Sequence, residues 1–566
     1  MKRPTDRIGL VGALLSAMML ATAPAQAQQE PQRSSAPKPM APLLTGPQLA
    51  IVSLAPQVTT AKNGRLIVVV QPVANVRQPA PVVLATDGGW LGAVELDVLH
   101  LGVPREVDVE VQAFPGPLAA QPPGEYWVQA RLDTNHTAAY GWVDPENDLV
   151  SPPVKLRLPT AEPIRLALEP EGDLMRARAI ADGKPAPALK RELPPGPVTD
   201  EFRTHWHEID FVSPSLTQFW GRPMHVRGYV LTPPKYDASK ASYPTVYRAS
   251  GFGASLETQQ FQAIGVYKLM KDGEDPEMIQ VFLDHHSPWG THEFADSVNN
   301  GPWGKALTQE LIPTLEKQYR MDAKASGRFV TGHSSGGWFA MWQQVAYPDV
   351  FGGAWASSPD PTDFRSFTGV DLYRAGANAY VRPDGKAQYL VRDPKGNEVQ
   401  SLGEYAQSEN VLGDIGGQFD SFDWVFSPKG DDGRPQPIFD RATGAVDPAV
   451  AAYWREHFDI SHIIRRDWKT LKPKLDGKIH LNVGDVDTFH LNESAKLLQQ
   501  ELDKLGAKSS FTYVPGGTHF NTGAIGGDPN GLEKKFAWAM YAVARPGSKQ
   551  KPPPAPPSLK PTQPPG

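Results

Sequence analysis

The sequence predicts an α/β domain built on a mostly parallel sheet, preceded by a small all-β, sandwich-like domain. Three observations predict it. Short apolar stretches broken by Pro and Gly run from about residue 49 to 168, the texture of a β-sandwich. Beyond residue 201, apolar strands alternate with helical segments, as a parallel sheet with crossover helices requires. Around Ser334, a strand, a glycine-rich turn and a helix follow without a break.

A chain of 566 residues is too long for one hydrophobic core, so two domains and terminal extensions are expected. Lys2, Arg3 and Arg7 precede an apolar run at 8–23 and the small-residue site Ala25-Gln26-Ala27. Residues 1–27 therefore read as a cleaved signal peptide, and the protein as periplasmic or secreted. The run is short for a bilayer span, so no stable membrane anchor is expected. Residues 28–45, rich in Gln, Pro, Ser and Ala, read as a flexible lead-in. The sandwich-like domain covers 46–170, with strands predicted at 65–70, 105–111, 124–130 and 154–158. Residues 105–111 alternate charged and apolar side chains, as a half-buried strand does.

A proline-dense linker at 171–200 leads into the α/β domain at 201–545, which holds an insertion at about 370–450. Within that insertion, residues 380–391 read as a hairpin. The Pro-rich tail at 546–566 cannot build a core. Cysteine is absent, which removes disulfides, thiolate metal sites and cysteine nucleophiles. A formal net charge of -6 gives no global basic field and argues against nucleic acid as a partner.

The chemistry centres on Ser334. Residues 328–331 form the strand, Gly332-His333-Ser334-Ser335-Gly336-Gly337 the turn, and 338–346 the helix, stopped by Tyr347-Pro348. G-x-S-x-G in that setting is a nucleophile elbow of the α/β-hydrolase type, with Ser334 the nucleophile; the plainer alternative is a glycine-rich turn. So tight a turn strains the backbone and leaves no room for flanking Cβ atoms.

Acid and base should follow in that order. A strand at 478–483 ends in Gly484-Asp485-Val486-Asp487, and one at 510–514 leads into Gly516-Gly517-Thr518-His519. His519 is the expected general base. The acid is Asp485 or Asp487; Asp487 lies further onto the loop and is favoured, leaving Asp485 as a turn residue or cap. The oxyanion hole would use the N–H of Ser335 and that of Phe252, or Gly253 beside it, in the glycine-rich exit of the strand at 243–248.

Asp284-His285-His286 and His292-Glu293 are metal-ligand residue types. Their spacing matches no helical His pair, so neither a metal nor a cofactor is expected, and His285 and His286 are read as lining the substrate cleft. Trp338, Trp342 and Trp355 are read as core packing.

Together these pieces resemble the Putative esterase family of α/β-hydrolases (esterase D and feruloyl esterase-like), which also includes S-formylglutathione hydrolases, enterobactin esterases and mycolyltransferases. The likeness runs from about residue 219 to 542. It rests on Gly228-Tyr229-Val230-Leu231-Thr232-Pro233-Pro234, Tyr243-Pro244, Glu310-Leu311-Ile312-Pro313, the elbow, Gly484-Asp485-Val486-Asp487 and Gly516-Gly517-Thr518-His519. The resemblance implies Asp487 as the acid, since similar Gly-Asp-x-Asp turns use the second Asp.

One departure stands out: the oxyanion loop begins Ser250-Gly251 where the family has His-Gly. The implied function is an exported carboxylic ester hydrolase working through an acyl-enzyme on a small-molecule or glycan ester, such as a carbohydrate-linked one. The alternatives are an acyltransferase with the same triad, or a non-catalytic polysaccharide-binding envelope protein with a degenerate hydrolase domain.

Overall fold

A computed structural model describes residues 49–74, 89–136, 147–160, 162–170, 193, 196–238, 240–287, 289–413 and 415–553. The expected signal peptide, lead-in and most of the linker and tail lie outside the described residues.

The N-terminal strands are β1 (Leu49–Leu54), β2 (Lys62–Pro72), β3 (Trp90–Leu99), β4 (Arg105–Asp108), β5 (Gln112–Phe114), β6 (Gly124–Asp133), β7 (Leu149–Val150), β8 (Val154–Leu158) and β9 (Ile164–Pro170). They pair in the order β4-β1-β9-β7-β6-β2-β3-β5, with β8 also on β6. One apolar cluster draws Val52 from β1, Leu66 and Val68 from β2, Val128 from β6 and Leu166 from β9, so both ends of the order face a common core. The predicted strand at 105–111 stops at Asp108. There the Asp108 carboxylate accepts the Glu110 N–H at 2.8 Å and turns the chain.

β2 is buried on both faces, which explains its continuous apolar run. Leu66, Val68 and Val70 fill the sandwich, whereas Ile67 and Val69 point the other way, onto Val411 and Leu412 of the α/β domain.

The α/β sheet contains β10 (Trp206–Val212), β11 (His225–Leu231), β12 (Thr245–Ala249), β13 (Ile279–Leu283), β14 (Arg328–His333), β15 (Ala354–Ser357), β16 (Ile479–Gly484) and β17 (Ser509–Val514). Their order is β10-β11-β13-β12-β14-β15-β16-β17. β11 is antiparallel to both neighbours and every later pairing is parallel. β12 and β13 are buried along their whole length, as central strands covered on both faces must be. This is the expected α/β-hydrolase domain behind an all-β sheet. Trp338, Trp342 and Trp355 are all buried in it.

The insertion lies between β15 and β16. Its strand Tyr389–Arg392 pairs with Glu398–Ser401, not with the residues before it. Of the hairpin predicted at 380–391, only a Val381–Ala387 bridge around a turn is formed. The helix α1 (Ser335–Ala346) follows the elbow, and α2 (Leu402–Leu412) and α3 (Gln418–Phe426) belong to the insertion. Ser401 and Glu404 form a capping box that starts α2. At its other end the Val411 carbonyl accepts two bonds, of 3.0 and 2.8 Å, from the buried Arg65 guanidinium of β2. Among the described residues no helix is long and apolar enough to cross a membrane.

Candidate active site

The candidate residues meet at the C-terminal edge of the parallel strands, where such sheets bind ligands. β14 runs into Ser334, whose backbone adopts φ 58° and ψ -125°, a conformation that costs a serine free energy and needs enforcement. Packing enforces it. A Cβ on Gly336 would lie 2.0 Å from the Ala249 carbonyl oxygen, and one on Gly332 would lie 2.2 Å from that of Gly336. Only glycine lets β12, β14 and α1 come this close. The Ser334 N–H also donates to the Ser357 carbonyl at 3.0 Å, tying the elbow to β15. Because α1 begins at Ser335, its first N–H groups have no partner inside the helix and can serve an anion.

The loop after β12 lies directly on the nucleophile. A Cβ on Gly251 would sit 3.0 Å from Ser334 Cβ and 3.6 Å from its Oγ. Phe252, next in the chain, is half-buried, and Ser335 is buried. The two expected oxyanion donors thus come from segments that flank the same hydroxyl.

Between the two acids, the structure pairs His519 with Asp487. The Nδ1 of His519 lies 3.0 Å from Asp487 Oδ2, and both side chains are buried. Asp487 Oδ1 accepts the Phe489 and Leu491 N–H groups at 3.0 and 3.3 Å. Burial works to raise this carboxyl, but the His519 charge, its hydrogen bond and the two N–H groups outweigh that effect and hold it below the usual range. Asp485 is exposed, and its carboxylate accepts the Gly516 N–H at 2.7 Å as a turn brace. The two loops touch through glycine: a Cβ on Gly484 would lie 2.0 Å from the Gly517 carbonyl oxygen.

His519 is further boxed in by rings. His333 lies 4.5 Å away, centroid to centroid, and Phe489 and Phe520 meet it edge-on at 4.9 and 5.1 Å. Burial first, then the His519 charge, pushes His333 down to about 3, so it stays neutral.

Sequence reasoning missed Asp360. Its Oδ1 accepts the Ser334 hydroxyl at 3.3 Å, and its Oδ2 accepts the Ser335 hydroxyl at 2.6 Å. Among the described residues no hydrogen bond joins Ser334 to His519. Burial pushes Asp360 up to about 6, against the opposing pull of the Ser335 hydrogen bond and His519. Asp360 stands in Ser357-Ser358-Pro359-Asp360-Pro361, which reads as an ordinary turn. The available signal was position: a carboxylate just past the strand beside the elbow strand.

His285 is fully buried and meets His286 edge-on at 4.9 Å. Neither of its ring nitrogens meets a hydrogen-bond partner among the described residues. Burial, then His286, drives it well below the usual histidine range, while the nearby Gly251 backbone pulls weakly the other way. His285 therefore stands as a neutral ring beside the oxyanion loop. His286 places Nδ1 2.8 Å from Asp284 Oδ1. His292 is buried and stacks on Trp303 at 3.5 Å. Among the described residues no three His, Asp or Glu side chains gather as a metal site.

The insertion reaches the site through Arg392. Its N–H donates to the Thr488 carbonyl at 3.0 Å and its Nε to the Asp487 carbonyl at 2.7 Å. Its guanidinium also donates to Asn492 Oδ1 at 2.6 Å, at the start of α4 (Leu491–Lys504).

Esterase MT1326 and Esterase Rv1288 of two Mycobacterium tuberculosis strains are each 27% identical to this chain over 152 residues, 27% of this chain and 33% of theirs. The chain thus spans about a third of the length of these curated relatives. Among solved structures, a ferulic acid esterase shares 14% identity, with 60% of this chain and 97% of that one covered and a TM-score of 0.35. An S-formylglutathione hydrolase from Agrobacterium tumefaciens also shares 14%, covering 60% and 95%, with a TM-score of 0.34. The Putative esterase family matches residues 217–522, more than half of the chain and the segment that carries every candidate residue from Phe252 to His519. The chain belongs to that family.

Proposed function

We propose that the protein is an exported carboxylic ester hydrolase that works through an acyl-enzyme on Ser334. The observation that carries this reading is the strained Ser334 elbow, whose neighbour His333 lies 4.5 Å from His519, beside a buried Asp487–His519 pair at 3.0 Å. In the proposed reaction the Ser334 hydroxyl turns to His519 and attacks the ester carbonyl. His519 takes its proton and returns it to the leaving alcohol, with Asp487 holding the imidazole tautomer and stabilising its charged form. The N–H groups of Ser335 and Phe252 receive the oxyanion. Water then repeats the sequence on the acyl-enzyme.

Family membership supports ester chemistry, and the resemblance to feruloyl esterases makes a carbohydrate-linked ester the proposed substrate. The basic n-region, the apolar run at 8–23 and Ala25-Gln26-Ala27 support export to the periplasm or medium.

Turnover of p-nitrophenyl acetate tests the central claim. Ser334→Ala should lower it by about a thousandfold or more, since the nucleophile cannot be replaced by its neighbours. Equal rates in the two proteins would sink the hydrolase reading.

A further inference from the structure

We propose that Asp360 is a positioning residue that latches the Ser334 hydroxyl away from His519 in the resting protein, so that acylation begins with rotation of that hydroxyl off Asp360. The proposal rests on the reading of Ser334 as nucleophile. Its basis is geometric. Asp360 makes three contacts with the two central residues of the elbow: it accepts from Ser334 Oγ at 3.3 Å and from Ser335 Oγ at 2.6 Å, and its own N–H donates to the Ser334 carbonyl at 3.2 Å. It is 3% exposed, so water does not compete for the carboxylate.

A carboxylate here has a cost. It puts negative charge beside the N–H groups that must receive an oxyanion, which an apolar side chain would avoid. The elbow itself needs no such group, because the glycine contacts and the Ser357 carbonyl already fix it. What Asp360 adds is a competing acceptor for the reacting hydroxyl. On acylation the Oγ proton leaves the Asp360 hydrogen bond and passes to His519, Oγ bonds to the acyl carbon, and the ester C–O bond breaks as the alcohol departs with that proton. Asp360 neither gains nor loses a proton.

The charged and titratable groups around Asp360 come from four segments. His519 and Asp487 approach from the loops after β17 and β16, Glu293 from the loop after β13, and Tyr405 from α2. Glu293 and Tyr405 are both buried and driven well above their ordinary ranges by burial first, then by neighbouring acids, and so stay neutral. That leaves Asp360 as the carboxyl beside the elbow whose charge changes towards neutral pH, with Asp487 held ionised.

Labelling of Ser334 by a fluorophosphonate probe, followed as a second-order rate from about pH 5 to 9, tests the latch. The comparison is Asp360→Asn over wild type at each pH. The rate ratio should stay near one at the acid end, where the wild-type latch is protonated. It should climb to about fivefold at the alkaline end, the effect of losing one modest hydrogen bond. A ratio flat with pH would overturn the latch and leave Asp360 structural. A ratio largest at the acid end would also overturn it, since the latch should hold the Ser334 hydroxyl most firmly where the Asp360 carboxylate is ionised.

Ser335→Ala supplies a second variant should the first fail to fold. It leaves Asp360 only Ser334 to hold, and should slow labelling at about pH 8 by about twofold; an unchanged or faster rate would count against the latch. If wild type itself were unlabelled at Ser334, the hydrolase reading would fail too, whereas labelling with a flat ratio removes the latch alone.

Discussion

Asp485 and Asp487 share a four-residue turn and differ in what surrounds them. Asp485 spends its carboxylate on an exposed backbone N–H, whereas Asp487 is buried, twice bonded to backbone and paired with His519. Asp487→Asn should therefore lower kcat by about ten-thousandfold, because an amide favours the wrong imidazole tautomer. Asp485→Asn should change kcat by less than about threefold, as expected for a surface turn residue. Steady-state kinetics on one chromogenic ester separates the two. The sequence made Ser334 and His519 legible because glycines are forced wherever backbones touch, and those glycines mark both loops. Asp360 carries no such mark. Its contact depends on the ends of two strands closing together, which spacing along the chain does not encode.

At the scale of elements, what stands out is how the insertion holds the acid loop. Strand Tyr389–Arg392 bonds to the loop by main chain and by the Arg392 guanidinium, so the Asp487 carbonyl and the start of α4 move with it. Arg392→Ala should reduce kcat by about tenfold with a smaller effect on KM, because small misplacement of a catalytic group is costly. Full kinetics alongside a thermal melt checks this; a parallel collapse of stability would assign the residue to folding instead. The insertion was visible in the sequence as extra length, but its strand pairing was not. Residues 380–391 read as a hairpin, yet Leu390 and Val391 are buried on the α/β core and pair onward to Glu398–Ser401. Similarly, the sandwich strand β2 was readable from its apolar run. The reason for that run, a second buried face, only appears once α2 is folded against it.

The whole molecule holds titratable groups whose shifts oppose one another. Glu409 of α2 and Asp275 are each pushed up to about 8, mainly by burial and then by Asp420 and Glu533 respectively. In the unfolded chain such carboxyls titrate near about 4. The stability they contribute is therefore full below about pH 4 and is lost as pH rises through about 8. Buried His285 and His292, with half-buried His333 and His480, act with the opposite sign. Held neutral in the fold, they contribute stability that is present above about pH 6.5 and lost below it. Above neutrality the histidine contribution has levelled while the carboxyl one goes on falling. Calorimetry should show the melting temperature falling between about pH 7 and 9, with a shallower fall in Glu409→Gln. A rising or level profile over that interval would contradict the assignment.

The junction between Arg65 and Val411 bears on how the chain can be divided. A guanidinium buried in one sheet satisfies the last carbonyls of a helix in the other domain, and Ile67, Val69 and Phe114 cover Val411 and Leu412. Cutting the chain after the sandwich would uncover that apolar patch and leave the helix end without its donor. The all-β portion is thus less a detachable appendage than a lining for the insertion, and a fragment begun after it would carry Val411 and Leu412 uncovered.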